Sequence, residues 1–413
     1  MQKPKWWMIA SALMVAFGLL TLANTAFARQ NPGGSDFLVH YNGTRAIILD
    51  GESPYSDATA LKIQQVAYGR PARSGEHELR VAYPLYSILV FLPFSLFNDF
   101  NLARGLWMSA LEIGLIGLTF LTLRLANWKP GRGMLIAVLL FSLLWYHGMR
   151  PLINGNAVIL VALLLVAGLL ALRNGEEELA GVLLAFSTIK PQVVLLPLAY
   201  LVLWAIYRRR FKMVGWLVGT VGLLTVSGLL LLPDWILQNL REVIRYPLYN
   251  PPGTLQSALE VWFPAAGDRI GLAVTVVLAL LLLVEWWRNR NGDPRAILWV
   301  FSLTLVVSQW IGIQTDPGNF VILIVALFTV ITIWEDRWGV LGRIMTIGIL
   351  VILLVGIWAV FLGTIDFDYQ PIQSPVMFLP LPGLLLVLLY WVRWWAVRPP
   401  NLWYDLLKQK DNP

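Results

Sequence analysis

The chain has 413 residues, of which 58% are hydrophobic and only 13% are charged. Soluble domains carry roughly 25% charge, so this chain lacks the polar surface to stay in water and reads as a multi-pass membrane protein. It has no cysteine and three histidines (His40, His77 and His147), which excludes disulfide frameworks, thiolate zinc sites and iron–sulfur clusters and argues against a histidine-rich metal centre. The net charge of +7 sits mostly in short basic clusters between apolar runs, a pattern of cytoplasmic loops rather than of nucleic-acid binding.

A bilayer core about 30 Å thick takes roughly 20 apolar residues of helix. In chain order, spans are predicted at 6–28, 102–123, 134–149, 156–172, 179–190, 191–207, 213–232, 270–287, 296–314, 319–334, 344–362 and 377–397. The expectation is therefore an all-α bundle of about twelve transmembrane helices in one membrane domain over 1–413. Several runs are short, and two of them, 179–190 and 191–207, meet at Lys190-Pro191. With Lys3 and Lys5 cytoplasmic, the N-terminus, the inward loops and the tail (with Arg398, Lys408 and Lys410) collect 19 of the 31 basic residues, so both termini are expected on the cytoplasmic side of the cell membrane. The first run has a second reading: Ala26-Phe27-Ala28 after a basic start resembles a signal-peptide cleavage site, and cleavage would leave the remaining topology unchanged.

Two outward segments, 29–101 and 233–269, are too long to be mere connections. The first carries Tyr41, Tyr55, Tyr68, Tyr83 and Tyr86 and ends in an apolar stretch over 83–97, which fits a re-entrant or interfacial helix better than a span. Glycine and proline scatter through the spans, which neighbouring helices tolerate.

Chemistry-bearing candidates cluster on the outward side. Asp36, eight residues beyond the first span, is either a general base for a hydroxyl acceptor or a helix cap before an apolar run. Asp50, Glu52 and Asp57 are solvated loop carboxylates or, with Asp36, oxygen ligands for a divalent cation. Lys190 amid apolar residues is costly and suits a lipid phosphate, unless it snorkels to the interface. Arg150 with Asn154-Gly155-Asn156 forms an outward turn whose guanidinium and amides suit phosphate or sugar hydroxyls, although turn chemistry explains Asn-Gly-Asn as well. Arg241, Arg245 and Gln256 share that ambiguity. Asp316, in the turn Thr315-Asp316-Pro317-Gly318-Asn319, is expected on the side of Asp36. Glu112 and Glu285, within or near spans, read as helix–helix hydrogen bonding or, for Glu112, as part of a proton or ion path. Asp336-Arg337-Trp338-Gly339 resembles a transporter loop signature, in the wrong place.

The ordered series Asp36-Phe37, Tyr41, Gly51 with Pro54-Tyr55, Tyr83-Pro84-Leu85 with Pro93, Gly155-Asn156, Ala180-Gly181 and Lys190-Pro191 covers about the first half of the chain. It resembles glycosyltransferase family 87, the polyprenol-phosphate-mannose-dependent mannosyltransferases. The resemblance implies a GT-C helical bundle, a first outward loop bearing the acidic active-site residue at Asp36, a lipid-phosphate sugar donor, and a lipid or glycan acceptor outside the membrane. It implies no metal, cofactor or nucleic acid. Lys190 and Arg150 would take the donor phosphate, and Tyr41, Tyr55, Asn154, Asn156, Gln256 and Asp316 the remaining substrate contacts. Relatives commonly have glutamine where Asn156 stands and histidines near the 315–319 turn. The main rival is a multispan transporter or lipid-linked glycan flippase, against which stand the long first outward loop and the absence of matching hydropathy halves.

Overall fold

A computed structural model describes residues 6–249, 253–311, 316–366 and 373–397. Lys3, Lys5, Thr315, Arg398, Lys408 and Lys410 lie outside the described residues. The described chain is helical: α1 (Trp6–Gln30), α2 (Ser35–Leu49), α3 (Asp57–Tyr68), α4 (Ile88–Ser95), α5 (Phe100–Ala126), α6 (Arg132–Leu144), α7 (Tyr146–Asn154), α8 (Val158–Arg173) and α9 (Glu177–Ser187) in the first part. There follow α10 (Pro191–Tyr207), α11 (Phe211–Leu231), α12 (Trp235–Tyr249), α13 (Leu255–Trp262), α14 (Gly267–Arg288), α15 (Pro294–Ile311), α16 (Ile324–Trp338), α17 (Val340–Thr364) and α18 (Pro380–Val397).

Among the described residues, eight helices are long and apolar enough to cross a membrane, or nine if the bent pair α6–α7 is one span. This corrects the expected twelve. The runs at 156–172, 179–190 and 191–207 became α8, α9 and α10, of 16, 11 and 17 residues. At 1.5 Å per residue they reach about 24, 17 and 26 Å, short of a hydrocarbon core of about 30 Å. The run at 134–149 is also not a single rod. Trp145 takes an extended backbone conformation, and the axis turns by 48° there. Residues 83–97, expected as a re-entrant or interfacial helix, contain a 3-10 turn at Leu85–Ser87 followed by the short α4.

The centre of the bundle is the apolar segment Pro317–Trp338, in which residues 317–334 are buried throughout. A helix that is hydrophobic all round has to be covered on every side, and α5, α15, α17 and α18 supply that cover. Residues 29–101 make a second, smaller core in which Leu38, Tyr55, Ile63, Val81 and Leu85 meet Trp235 of α12. Helix α1 packs closely along α5. A Cβ on Gly105 would lie 2.8 Å from the Thr25 backbone nitrogen, and Asn24 donates to Ser109 and Glu112.

The two intramembrane glutamates are helix fasteners. Glu112 serves α1–α5, whereas Glu285 of α14 accepts two hydrogen bonds from Arg393 of α18 at 3.0 and 2.8 Å. Removing one member of such a pair leaves a charge with no partner. Arg393→Met should therefore lower stability by about 3 kcal/mol, measured as the thermal unfolding midpoint in detergent. Glu285→Leu combined with Arg393→Met should recover most of the loss.

Candidate active site

The site is assembled where several helices end. The chain leaves α1 through Gly33 and Gly34, both at positive φ, and Gly34 is the N-cap of α2 in the left-handed region. Glycine is needed there twice over, since that conformation disfavours a side chain and a Cβ would lie 2.5 Å from Nε of Arg104. Arg104 of α5 is buried and donates to the carbonyls of Asn31 (2.8 Å) and Ile153 (3.1 Å). One guanidinium thus ties the start of α2 to the end of α7. Gly155 (φ +71°) closes α7, its carbonyl accepts from Trp107 Nε1 at 2.8 Å, and a Cβ on it would lie 2.5 Å from Cβ of Phe37. The Phe37 ring stacks on Trp107 and Phe100, each 5.9 Å away between centroids. These contacts fix the residues on either side, Asp36 and Asn156.

Asp36 is not a cap: Gly34 occupies that position, and no side-chain hydrogen bond caps α2. Its Oδ2 accepts from Asn156 Nδ2 at 3.0 Å. The other end of the same amide, Oδ1, accepts from Lys190 Nζ at 2.5 Å and from the Val158 backbone N–H at 3.0 Å. Lys190 stands in the corner between α9 and α10, only 3% exposed, with its ammonium 5.5 Å from the Tyr83 ring centroid. It does not snorkel. A second group lies alongside. Arg150 Nε is 3.7 Å from Asp316 Oδ1, which also accepts from Gly318 N–H at 2.6 Å. Gln373 donates to Asp316 Oδ2 at 3.1 Å and accepts from the Tyr146 hydroxyl at 2.7 Å. His147 Nδ1–H donates to the Pro317 carbonyl at 2.8 Å, steadying the same turn.

The two carboxylates are driven apart in basicity. Burial raises the pKa of Asp36, and Asp316 adds to the rise, while Lys190, Arg150 and the Asn156 hydrogen bond oppose it; the net direction is upward. Burial also pushes Asp316 up, but Arg150, the Gly318 N–H, Lys190 and Gln373 outweigh it and the net direction is downward. With opposite shifts, Asp36 is the more basic carboxyl and Asp316 the more readily ionised one. His40, between Tyr83 and Phe91 at 4.0 and 4.6 Å, is held neutral by burial, which lowers its pKa to about 3.

The model of glycosyltransferase family 87 matches residues 82–308, more than half of the chain. The chain belongs to glycosyltransferase family 87. It is a multi-pass membrane glycosyltransferase, and this replaces the transporter reading. No curated protein and no solved structure matches it. The family match takes in Tyr83, Arg104, Arg150, Asn156 and Lys190; Asp36 lies before it and Asp316 and Gln373 lie after it.

This GT87 chain brings together five of the residues picked out by sequence: Asp36, Arg150, Asn156, Lys190 and Asp316. Asn154 is the last residue of α7, two positions from Asn156. Tyr41 is buried with its hydroxyl on the Phe97 carbonyl at 2.7 Å, and Tyr55 donates to the Tyr83 carbonyl at 2.8 Å. Gln256 pairs with Glu260 and Asp268 on the α13–α14 side. Asp50 and Glu52 face Lys62, and Asp57 faces Arg80. Among the described residues no group of three or more His, Cys, Asp and Glu is placed to hold a metal ion.

Sequence reasoning missed Arg104, Gln373, Tyr146 and His147. Arg104 left a signal, an arginine near the start of an apolar run. Gln373 left none, because its partner is 57 residues away. Gly155→Ala should cost about 1–3 kcal/mol, since it combines a left-handed backbone with a steric clash. A lowered thermal unfolding midpoint checks this.

Proposed function

We propose that this GT87 enzyme transfers a hexose, with mannose as the first candidate, from a polyprenyl-phosphate donor to an acceptor hydroxyl at the outer face of the membrane. The observation that carries the reading is one carboxylate of raised pKa, Asp36, joined through Asn156 to a buried ammonium, Lys190, with the Arg150 guanidinium alongside. A base for a hydroxyl and cations for a phosphate are the two groups that such a transfer requires.

Asp36 takes the acceptor hydroxyl proton as that oxygen forms a bond to the anomeric carbon. The bond from that carbon to the phosphate oxygen breaks, and polyprenyl phosphate departs with the electron pair. Direct displacement inverts the anomeric configuration. Lys190 and Arg150 stabilise the charge collecting on the phosphate, and a lipid phosphate as leaving group requires no nucleotide. Asp316, a fixed anion held by Arg150 and Gln373, faces the sugar or acceptor hydroxyls. The distribution of basic residues along the sequence supports an outward placement of the site.

The test uses purified protein in liposomes with labelled polyprenyl-phosphate-mannose and a mixed lipid-glycan acceptor extract. Asp36→Asn should reduce label in new glycoside by about 10²–10⁴-fold, the range expected for loss of a general base. Equal transfer by both proteins removes Asp36 from the mechanism.

The pH profile gives a second check. Transfer requires ionised Asp36, so the acid limb should lie above the ordinary carboxylate range, following its raised pKa. Asp316→Asn removes an anion that raises it, and should move the limb to lower pH. A limb unmoved by that substitution overturns the electrostatic link between the two carboxylates.

A further inference from the structure

Helix α12 (Trp235–Tyr249) is amphipathic in the inverted sense, with its polar side packed inward. Gln238 accepts from Ser53 Oγ at 2.6 Å, and Asn239 Nδ2 donates to the carbonyls of Ala82 and Tyr83 at 3.0 and 3.1 Å. Glu242, itself buried, meets Arg80 at 3.4 Å, and Arg245 meets Glu78 at 2.8 Å. The outward side is apolar. Leu237, Leu240, Ile244 and Leu248 are 68, 51, 69 and 83% exposed, and their spacing of three, four and four residues places them in one stripe along the helix.

We propose that α12 is an interfacial helix whose Leu237–Leu248 stripe docks into the acyl-chain boundary of the membrane leaflet on the active-site side. Three observations point to phospholipid as the occupant. Helix α12 begins three residues after the span α11, whose last residues Leu230 and Leu231 are themselves 83 and 58% exposed, so the stripe continues a surface that already faces lipid. Fifteen residues carrying Gln238, Asn239, Arg241, Glu242 and Arg245 cannot cross a hydrocarbon core, which leaves the plane of the interface. Arg241, exposed beside Leu240 and one turn from Leu237 and Ile244, is placed to extend its guanidinium to lipid phosphates while its stem stays with the stripe.

The inward side links this docking to the site. The Tyr83 carbonyl that Asn239 holds also accepts from Tyr55, and the ring of Tyr83 lies beside the Lys190 ammonium. A helix seated in the interface therefore sets the wall of the site at the depth of lipid headgroups.

The absence of cysteine from the chain makes the test clean. Ile244→Cys and Leu248→Cys are each labelled with a nitroxide, and the protein is reconstituted in phospholipid vesicles. Collision with oxygen and with a water-soluble nickel chelate is then measured by electron paramagnetic resonance. Leu223→Cys on α11 is the lipid-facing reference, and Ser74→Cys in the first outward loop is the aqueous one. Chelate accessibility at both α12 positions should be at least about threefold below that at Ser74→Cys and close to that at Leu223→Cys, as for side chains sunk below the headgroups. Equal chelate accessibility at Ser74→Cys and the α12 positions overturns the proposal. So does dipolar broadening between labels on two chains together with a disulfide-linked dimer of unlabelled Leu248→Cys, which would give the stripe to a second copy. Neither readout depends on glycosyl transfer, so the outcome is independent of the function proposed above.

Discussion

Charged side chains are expensive away from water unless each finds a partner, and this constraint shapes the active-site corner. Asp36, Lys190, Arg150 and Asp316 come from four separate stretches of chain, and neutral groups help to position three of them. The Asn156 amide bridges Asp36 and Lys190 from its two ends. Gln373 and the Gly318 N–H hold Asp316 opposite Arg150. If any of the four segments shifts, a charge loses its partner in a place where water cannot easily replace it. Arg104 then has an architectural role: with no carboxylate of its own, it spends its donors on the backbone carbonyls of Asn31 and Ile153 and so locks two of the four segments together.

The short helices follow from the same requirement. Helix α8 starts just after Asn156, α9 ends just before Lys190, and α10 starts just after it. Each has an end at the site, and none is long enough to match the thickness of a bilayer core. Close packing compensates for their length. A Cβ on Gly168 would meet Leu184 at 2.9 Å, and one on Gly181 would meet the Met213 carbonyl at 2.6 Å. Helices that approach this closely are held by small-residue contacts rather than by hydrophobic exclusion from lipid. A polar corner inside a membrane protein is tolerated where the surrounding backbone is buried in protein or lines a cavity.

The long spans could be read from sequence because apolar length alone defines them. The count failed at 156–172, 179–190 and 191–207, where a run nearly long enough gives no sign of which neighbour will bury it. The acidic and basic members of the site were visible because ionisable residues beside apolar runs stand out, as Asp36, Arg150, Lys190 and Asp316 do. Their neutral supports were not, since an amide such as Gln373 or a buried phenol such as Tyr146 looks ordinary until its distant partner is known. Tyr41 and Tyr55 likewise have partners that the sequence does not announce. Tyrosines in a loop suggest sugar contacts; in the structure these two donate to the Phe97 and Tyr83 carbonyls and hold the segment 29–101 in shape. A buried hydroxyl has to find a partner, and here the nearest one is backbone.

The assignment of roles to the two carboxylates rests on what surrounds each. Asp316 accepts from a backbone N–H and an amide and faces a guanidinium. Hydrogen bonds and an opposite charge favour the ionised form, so this group is a poor proton acceptor. Asp36 has one amide partner, and burial dominates its surroundings. Burial disfavours ionisation and thereby makes the anion a stronger base. The same comparison explains why Asn156 stands between Asp36 and Lys190. A direct ion pair would lower the pKa of Asp36 and remove the basicity that burial provides. An amide in between avoids that direct contact, and in the function proposed above it leaves the ammonium free to steady a phosphate and the carboxylate able to accept a proton.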